Sequence, residues 1–251
     1  MMADALEKRL NELALRAAHR REACFTRFLD PTEAMAARAA ASRAGASVAL
    51  WGGHDDAERC VAAFYMGEAP EAPEWPIRPL RIEWNEKFSN PGHRDLLGAV
   101  MHLGIERETT GDIAMGEYKG APCAYLFALD EIADYIAASL ERAGHAALKV
   151  IVATEAPVLT PPKGDVMRLT VQQERLDAVL AAACNLSRGE AQKRIAAGLV
   201  KLNHVPCLRS DARLTEGDLI SARGFGRLKV VAFRGETRRG RLVVEAFRFK
   251  D

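Results

Sequence analysis

The chain is poor in cysteine and in aromatic residues, and it has no long apolar run. Its five cysteines (Cys24, Cys60, Cys123, Cys184, Cys207) are odd in number, widely spaced and never in a Cys-x-x-Cys pair. That excludes a disulfide framework and a zinc-finger signature, and points to small buried thiols in a reducing compartment. No apolar stretch approaches the ~20 residues needed to span a bilayer. Asp4, Glu7 and Glu12 stand among the N-terminal leucines, unlike a secretory or organelle-targeting segment. A cytoplasmic protein without a membrane partner is expected. Aromatics make up only 6% of the residues, and the sheet-borne stacking signature of RNA-recognition modules is absent.

Catalytic signatures are missing too. No Gly-x-Gly-x-x-Gly, no phosphate-binding Gly-x-x-x-x-Gly-Lys-Ser/Thr and no Gly-x-Ser-x-Gly occurs. The histidines at 19, 54, 93, 102, 145 and 204 lack metal-ligand spacing. His54-Asp55-Asp56 could be read as an acid–base or metal cluster, but on a Gly-rich turn it reads better as solvated polar punctuation. His93-Arg94-Asp95 resembles a kinase catalytic loop without its downstream Asn, its Gly-rich loop or its Asp-Phe-Gly. At a helix start, Asp95 is a favourable dipole partner, and His93 with Arg94 forms a candidate second RNA or phosphate site. Nothing assembles a nucleophile, a base and an oxyanion hole. The expectation is therefore no enzyme, no cofactor, no metal and no small-molecule substrate.

What is present is a chain of 251 residues, 49% hydrophobic and 27% charged, long enough for two domains or three small ones. Two stretches read as linkers: Gly67 to Pro79, with Pro70, Pro73, Pro76 and Pro79, and Glu155 to Val166, with Pro157, Pro161, Pro162 and Gly164. They divide the chain into residues 1–74, 75–155 and 168–251. The overall charge of +1 then separates. Arg168 to Asp251 hold 17 basic and 9 acidic side chains, whereas residues 1–167 hold 18 and 25. A neutral total thus averages an acidic body and a basic end, a pattern that suggests a nucleic-acid-binding module.

The fold class expected is α+β. In residues 1–74, Leu6, Leu10, Leu13 and Ala17 form one helical stripe from Ala3 to about Arg21. A helix from Thr32 to Arg43 follows Pro31. Strands at Val48–Trp51 and Cys60–Met66 flank the turn Gly52-Gly53-His54-Asp55. Residues 75–155 read as a strand (Ile77–Trp84), a helix (His93–Leu103), a hairpin (Ile113–Met115 with Cys123–Phe127), a helix (Leu129–Ala143) and a strand (Leu148–Val152). That is the split βαβ, ferredoxin-like order.

Residues 168–251 carry the binding chemistry. Leu176, Val179, Leu180 and Ala183 make a helix face, closed by Asn185-Leu186. Ser187-Arg188-Gly189-Glu190 fits a capping box, and its helix stops at Gly198. A strand Leu199–Leu202, a turn Asn203-His204 and a strand Asp218–Arg223 follow. Arg188 sits in a first helical turn, where a cation is disfavoured until a phosphate arrives. Arg223-Gly224-Phe225-Gly226-Arg227 offers two cations, two glycines and a stackable ring. The candidate RNA-binding residues are Arg175, Arg188, Lys193, Arg194, Lys201, Arg223, Phe225 and Arg227.

Arg175-Leu176-Asp177 through Asn185-Leu186-Ser187-Arg188 to Gly198–Asn203 resembles the S-four domain, the alpha-L RNA-binding motif. Further motifs extend the resemblance in order along nearly the whole chain: Phe25 to Pro31, Gly52-Gly53, Lys87-Phe88-Ser89 with His93 to Ala99, Gly104 to Arg107, Gly111-Asp112-Ile113 and Ser221 to Arg227. Together they resemble the YlmH family. One departure is Asn90-Pro91-Gly92 before His93. The resemblance implies a three-part bacterial cytosolic protein: an N-terminal unit, a ferredoxin-like domain assigned to RNA binding and a C-terminal S-four domain. It implies ribosomal RNA, tRNA and the large ribosomal subunit as partners, in quality control of stalled peptidyl-tRNA, and also a link to cell division. Two alternatives differ in kind. An RNA-modifying enzyme of the pseudouridine synthase type would use Asp95, but the His-Arg-Leu-Asp form of that nucleophile is absent. An adaptor would act through the acidic N-terminal part.

Overall fold

The structure is a computed structural model and describes residues 2–20, 22–67, 74–237 and 240–250. The chain forms two compact units that divide between Thr160 and Pro161. Arg21, the expected end of the first helix, lies outside the described residues, as do Pro70 and Pro73.

In the first unit, α1 (Met2–Arg20) buries Leu10, Ala14 and Ala17, with Leu6 and Leu13 packed beside them. Helix α2 (Pro31–Ala44) starts where Asp30 caps it. The Asp30 carboxylate accepts the Thr32 and Glu33 amides at 2.8 and 2.9 Å, and Glu33 accepts the Asp30 amide in return. Its buried face is entirely alanine, from Ala34 to Ala41. Beside the two helices lies an antiparallel three-stranded sheet in the order β1-β3-β2: β1 (Cys24–Leu29), β2 (Ser47–Trp51) and β3 (Cys60–Tyr65). Strand β1 does not declare itself in the sequence, because Thr26 and Arg27 interrupt its apolar residues.

The rest of this unit runs β4 (Ile77–Trp84), α3 (His93–His102), a 3-10 turn at Arg107–Thr109, β5 (Thr110–Tyr118), β6 (Ala121–Leu129), α4 (Asp130–Ser139), β7 (Arg142–Ala143) and β8 (Ala146–Val152). The sheet order is β5-β6-β4-β8-β7 with every pair antiparallel. Without the short β7 this is the expected ferredoxin-like arrangement. The second helix is shorter than its apolar pattern suggests. It ends at Ser139 because Leu140 leaves helical backbone and Arg142–Ala143 pair with the start of β8.

Strand β6 alternates strictly, as period two requires. Ala124, Leu126 and Ala128 face Leu96 and Val100 of α3 and Ala133 and Ile136 of α4. Cys123, Tyr125, Phe127 and Leu129 face the other way, where Phe28 of β1 and Val61 of β3 cover them. Tyr125 and Phe127 are fully buried. The two sheets thus share a core, and burying each ring contributes up to roughly 3 kcal/mol. The Gly52-Gly53 turn is part of this seal. Gly53 has φ +95°, and a Cβ there would stand 2.2 Å from the Phe127 ring.

The second unit contains β9 (Gly164–Val171), α5 (Leu176–Cys184), α6 (Arg188–Ala196), β10 (Val200–Leu202), β11 (Val205–Pro206), β12 (Leu219–Ala222), β13 (Gly226–Glu236) and β14 (Leu242–Phe249). Its antiparallel sheet has the order β11-β10-β12-β13-β14-β9. Leu176, Val179, Leu180 and Ile195 of the helices pack on Val200, Ile220, Val230 and Val244 of the sheet. Asn203 and His204 both have positive φ, 49° and 69°, as a two-residue hairpin turn demands. The linker reading fails for residues 164–166. They belong to β9, which pairs with β14 from Gly164–Phe249 to Val171–Leu242. That partner lies at the far end of the chain, so nothing local announces the strand.

Among the described residues no helix is long and apolar enough to cross a membrane, and no cluster of three or more His, Cys, Asp or Glu side chains could hold a metal. All five cysteines are free; Cys24 and Cys123 are buried, whereas Cys60, Cys184 and Cys207 are partly exposed.

Candidate nucleic-acid interface

Asp177, in the first turn of α5, is completely buried and organises one end of the second unit. Its carboxylate accepts Arg175 Nε and Nη2 at 3.1 Å each, Arg188 Nε at 3.1 Å and Gln192 Nε2 at 2.8 Å. Burial alone would raise this carboxyl. The bonds from Gln192, Arg188 and Arg175 outweigh it and hold the group below the ordinary carboxylate range. Two guanidiniums share one carboxylate, so the cluster stays positively charged, and both remain part-exposed. Arg188 opens α6 as expected, but a carboxylate of the chain itself already offsets its clash with the helix dipole. The capping box is also present: Ser187 Oγ accepts the Glu190 amide at 3.2 Å, and the Glu190 carboxylate accepts the Ser187 amide at 2.9 Å.

A second group of candidates meets at the β12–β13 turn. Gly224 and Gly226 have φ of +85° and +86°, so the two glycines serve the turn itself. Phe225 is half-buried against the helix–sheet core. The Arg194 guanidinium lies over its ring at 4.7 Å, and Arg194 Nη1 donates to the Arg223 carbonyl. The Arg227 guanidinium lies 5.0 Å from the Phe249 ring. Arg248 Nη2 donates to the Phe225 carbonyl at 3.2 Å.

The eight candidates therefore fall into Arg175 with Arg188, then Arg194, Arg223, Phe225 and Arg227, with Lys193 and Lys201 exposed on α6 and β10. Arg248 and Phe249 join the second group and escape sequence reasoning. They sit on a strand that local alternation does not tie to the turn.

In the first unit, His93 and Arg94 are exposed at the start of α3. Arg94, Asp95, His102 and Arg142 line a depression of about 630 Å³; His93 is not among its lining residues. The Asp95 carboxylate accepts the Gly92 amide at 2.9 Å, which is the work of a helix cap rather than of a nucleophile. His54 is not the solvated residue its turn suggests. Its ring stacks on Phe127 at 4.8 Å, and its Nε2 lies 3.7 Å from Asp112 Oδ2. Burial would raise the Asp112 carboxyl, yet His54 and the Glu58 and Arg59 amides hold it below its ordinary range.

The model described as "Putative RNA-binding domain in YlmH" matches residues 70–155, and the S4 domain model matches residues 174–220. Over 218 residues the chain is 34% identical to the "Ribosome-associated protein quality control protein P2" of Bacillus subtilis (strain 168), covering 86% of this chain and 83% of that protein. The chain belongs to the YlmH family. A solved structure, "Cell division protein ylmH from Streptococcus pneumoniae", is similar at 19% identity with a TM-score of 0.48, over 61% of this chain and 92% of that one.

Several residues of the YlmH-like motifs in the first unit, Arg27, Phe28, Gly53, Arg107 and Gly111 among them, lie at the seam between its two sheets, whereas Lys87-Phe88-Ser89 stands on the turn before α3. Arg27 pairs with Glu106, with Glu108 at 2.7 Å and with Glu131 at 3.3 Å. Arg59 donates to the carbonyls of Phe28 at 3.0 Å and Thr110 at 3.2 Å, and Arg107 donates to the Thr110 carbonyl at 2.6 Å. Arg27 and Arg107 of these motifs, together with Arg59 outside them, hold the sheets together, whereas the motifs of the second unit build the basic clusters.

Proposed function

We propose that the chain is a non-enzymatic RNA-binding protein of the ribosome. It contacts ribosomal RNA and tRNA on large subunits that carry stalled peptidyl-tRNA, acts in the cytoplasm, and takes part in quality control of interrupted translation. Residues 168–251 form the S-four RNA-binding part, residues 75–155 the ferredoxin-like part and residues 1–74 the N-terminal part.

The observation that carries this reading is the Asp177 clamp. Phosphate recognition favours guanidiniums whose geometry is set beforehand, because little rotamer entropy is then lost on binding. Arg175 and Arg188 are held in that way with one carboxylate between them. The family's RNA-binding domains and the name of the Bacillus subtilis relative support the ribosome as the partner.

The test is co-sedimentation of the full chain with purified large subunits, with and without peptidyl-tRNA. Wild type should sediment with the loaded subunits, and K193E/R223E should remain in the supernatant. Co-sedimentation unchanged by that double substitution would overturn the assignment of Lys193 and Arg223 to the RNA contact.

A further inference from the structure

The ferredoxin-like domain contains aromatics at alternate positions of a central strand, Tyr125 and Phe127 on β6. Both are at zero exposure beneath Phe28 and Val61. No base can stack there without dismantling the core shared by the two sheets. If this domain holds RNA, it must do so elsewhere.

Two aromatics of the first unit are exposed among its described residues. Tyr135 is 49% exposed, and its hydroxyl donates to the Leu103 carbonyl at 3.3 Å. Phe88 is 86% exposed, the most open large apolar side chain described. It stands on an ordered turn between β4 and α3. The Phe88 and Ser89 amides donate to the Asn85 carbonyl at 3.1 and 3.2 Å, and the Lys87 amide donates to the Asn85 side chain at 3.1 Å. The turn is thus built from backbone bonds, and none of them requires the ring.

The surroundings favour a polyanion. Lys87 precedes Phe88 on the turn, and His93 and Arg94 follow as the first residues of α3. Among the described residues no hydrogen bond or ion pair engages the Lys87 ammonium, the His93 ring or the Arg94 guanidinium. Acids lie nearby as well: Glu86 is exposed, the Asp95 carboxylate accepts the Gly92 amide, and Glu141 lines the depression beside Arg94, where Arg142 stands next to it. Asn90-Pro91-Gly92 leads into α3 through a buried Pro91 and an extended Gly92, which ties the aromatic turn to the start of the helix. An open ring with uncommitted basic side chains beside it is the arrangement that holds single-stranded nucleic acid, with stacking on the face and phosphates on the rim.

We infer that Phe88, flanked by Lys87, His93 and Arg94, is the base-stacking platform of the ferredoxin-like domain and takes one unpaired RNA base. This rests on the RNA-binding reading above and adds a second contact to that of the S-four domain.

The test uses the full chain and a fluorescein-labelled (AC)6 RNA, an unstructured strand, with binding followed by anisotropy across a salt series. F88A should weaken binding about tenfold, the factor for one lost stack, without changing the salt slope. F88W should bind as wild type, and thermal melting of F88A should match wild type because the ring packs on nothing. K193E/R223E should instead flatten the salt slope. If F88A binds like wild type while K193E/R223E does not, the platform is wrong and the S-four reading stands. If wild type does not bind (AC)6, the platform is wrong, and co-sedimentation with large subunits decides the RNA-binding reading separately. If F88A binds RNA normally but loses the ribosome, Phe88 faces a protein and the inference is overturned.

Discussion

Asp177 Oδ2 accepts Arg188 Nε at 3.1 Å, and this bond joins the buried start of α5 to the first residue of α6. It is a fold contact and, on the proposed reading, a binding-site contact at once. A carboxylate with no solvent exposure must be paired, and Arg175, Arg188 and Gln192 pair it. The same bonds aim two guanidiniums. Replacing Arg188 would therefore disturb folding and binding together, which makes Lys193 and Arg223 the cleaner probes of RNA contact.

Asp177→Ala should destabilise the second unit by about 3 kcal/mol, since breaking one side of a buried ion pair leaves its partners unsatisfied. Urea denaturation followed by circular dichroism measures this. A loss below about 1 kcal/mol would show that the clamp adds little to stability.

The pH dependence has a definite sign. The Asp177 carboxyl is held below its ordinary value, so its ionised form binds more favourably in the fold than in the unfolded chain. Its stabilisation is complete above the unfolded value of about 3.9 and is lost as pH falls through the lower native one. The stability gap between wild type and Asp177→Ala should stay flat from neutral pH to about 5 and close below about 4. A gap that closes between pH 7 and 5 would contradict the assignment.

Binding to purified large subunits should weaken steeply with salt. Six phosphate contacts correspond to a slope of about −5 in log affinity against log salt, and K193E/R223E should reduce its magnitude by about 2. Filter binding across a salt series reads both. An unchanged slope would remove Lys193 and Arg223 from the interface.

Gly53→Ala should destabilise the first unit by about 2 kcal/mol or more. The new methyl meets the Phe127 ring at 2.2 Å in a backbone with positive φ. Thermal melting should show the loss, whereas affinity for large subunits per folded molecule should hold. A wild-type melting temperature would mean that the seam is not tightly packed.

Ser187→Ala should cost about 1 kcal/mol by removing one half of the α6 capping box. Denaturant unfolding checks it, and a change within error would assign the helix start to the Glu190 bond alone.

Local pattern was enough for much of the fold. Ile77–Trp84 read as a strand, helical spacing marked the helix from Leu176, and Ser187 with Glu190 announced a cap that is present as spelled, with the helix from Arg188 behind it. The basic end of the chain was legible from charge position alone, because charge counts need no partner. Pairings between distant segments were not. Strand β9 is a strand only because β14 returns to it, and β1 is held by β3 rather than by its own alternation. His54 looks like a solvated turn residue until the second sheet arrives beneath it. Phe225 looks like an open ring until Arg194 covers it, and Phe88 looks like an ordinary apolar residue until the fold leaves it in water. Helix, turn and cap are settled by neighbours in the chain, whose spacing the sequence states directly. Which aromatic is sealed and which is open depends on surfaces contributed by residues far apart, and only their packing in three dimensions sets that.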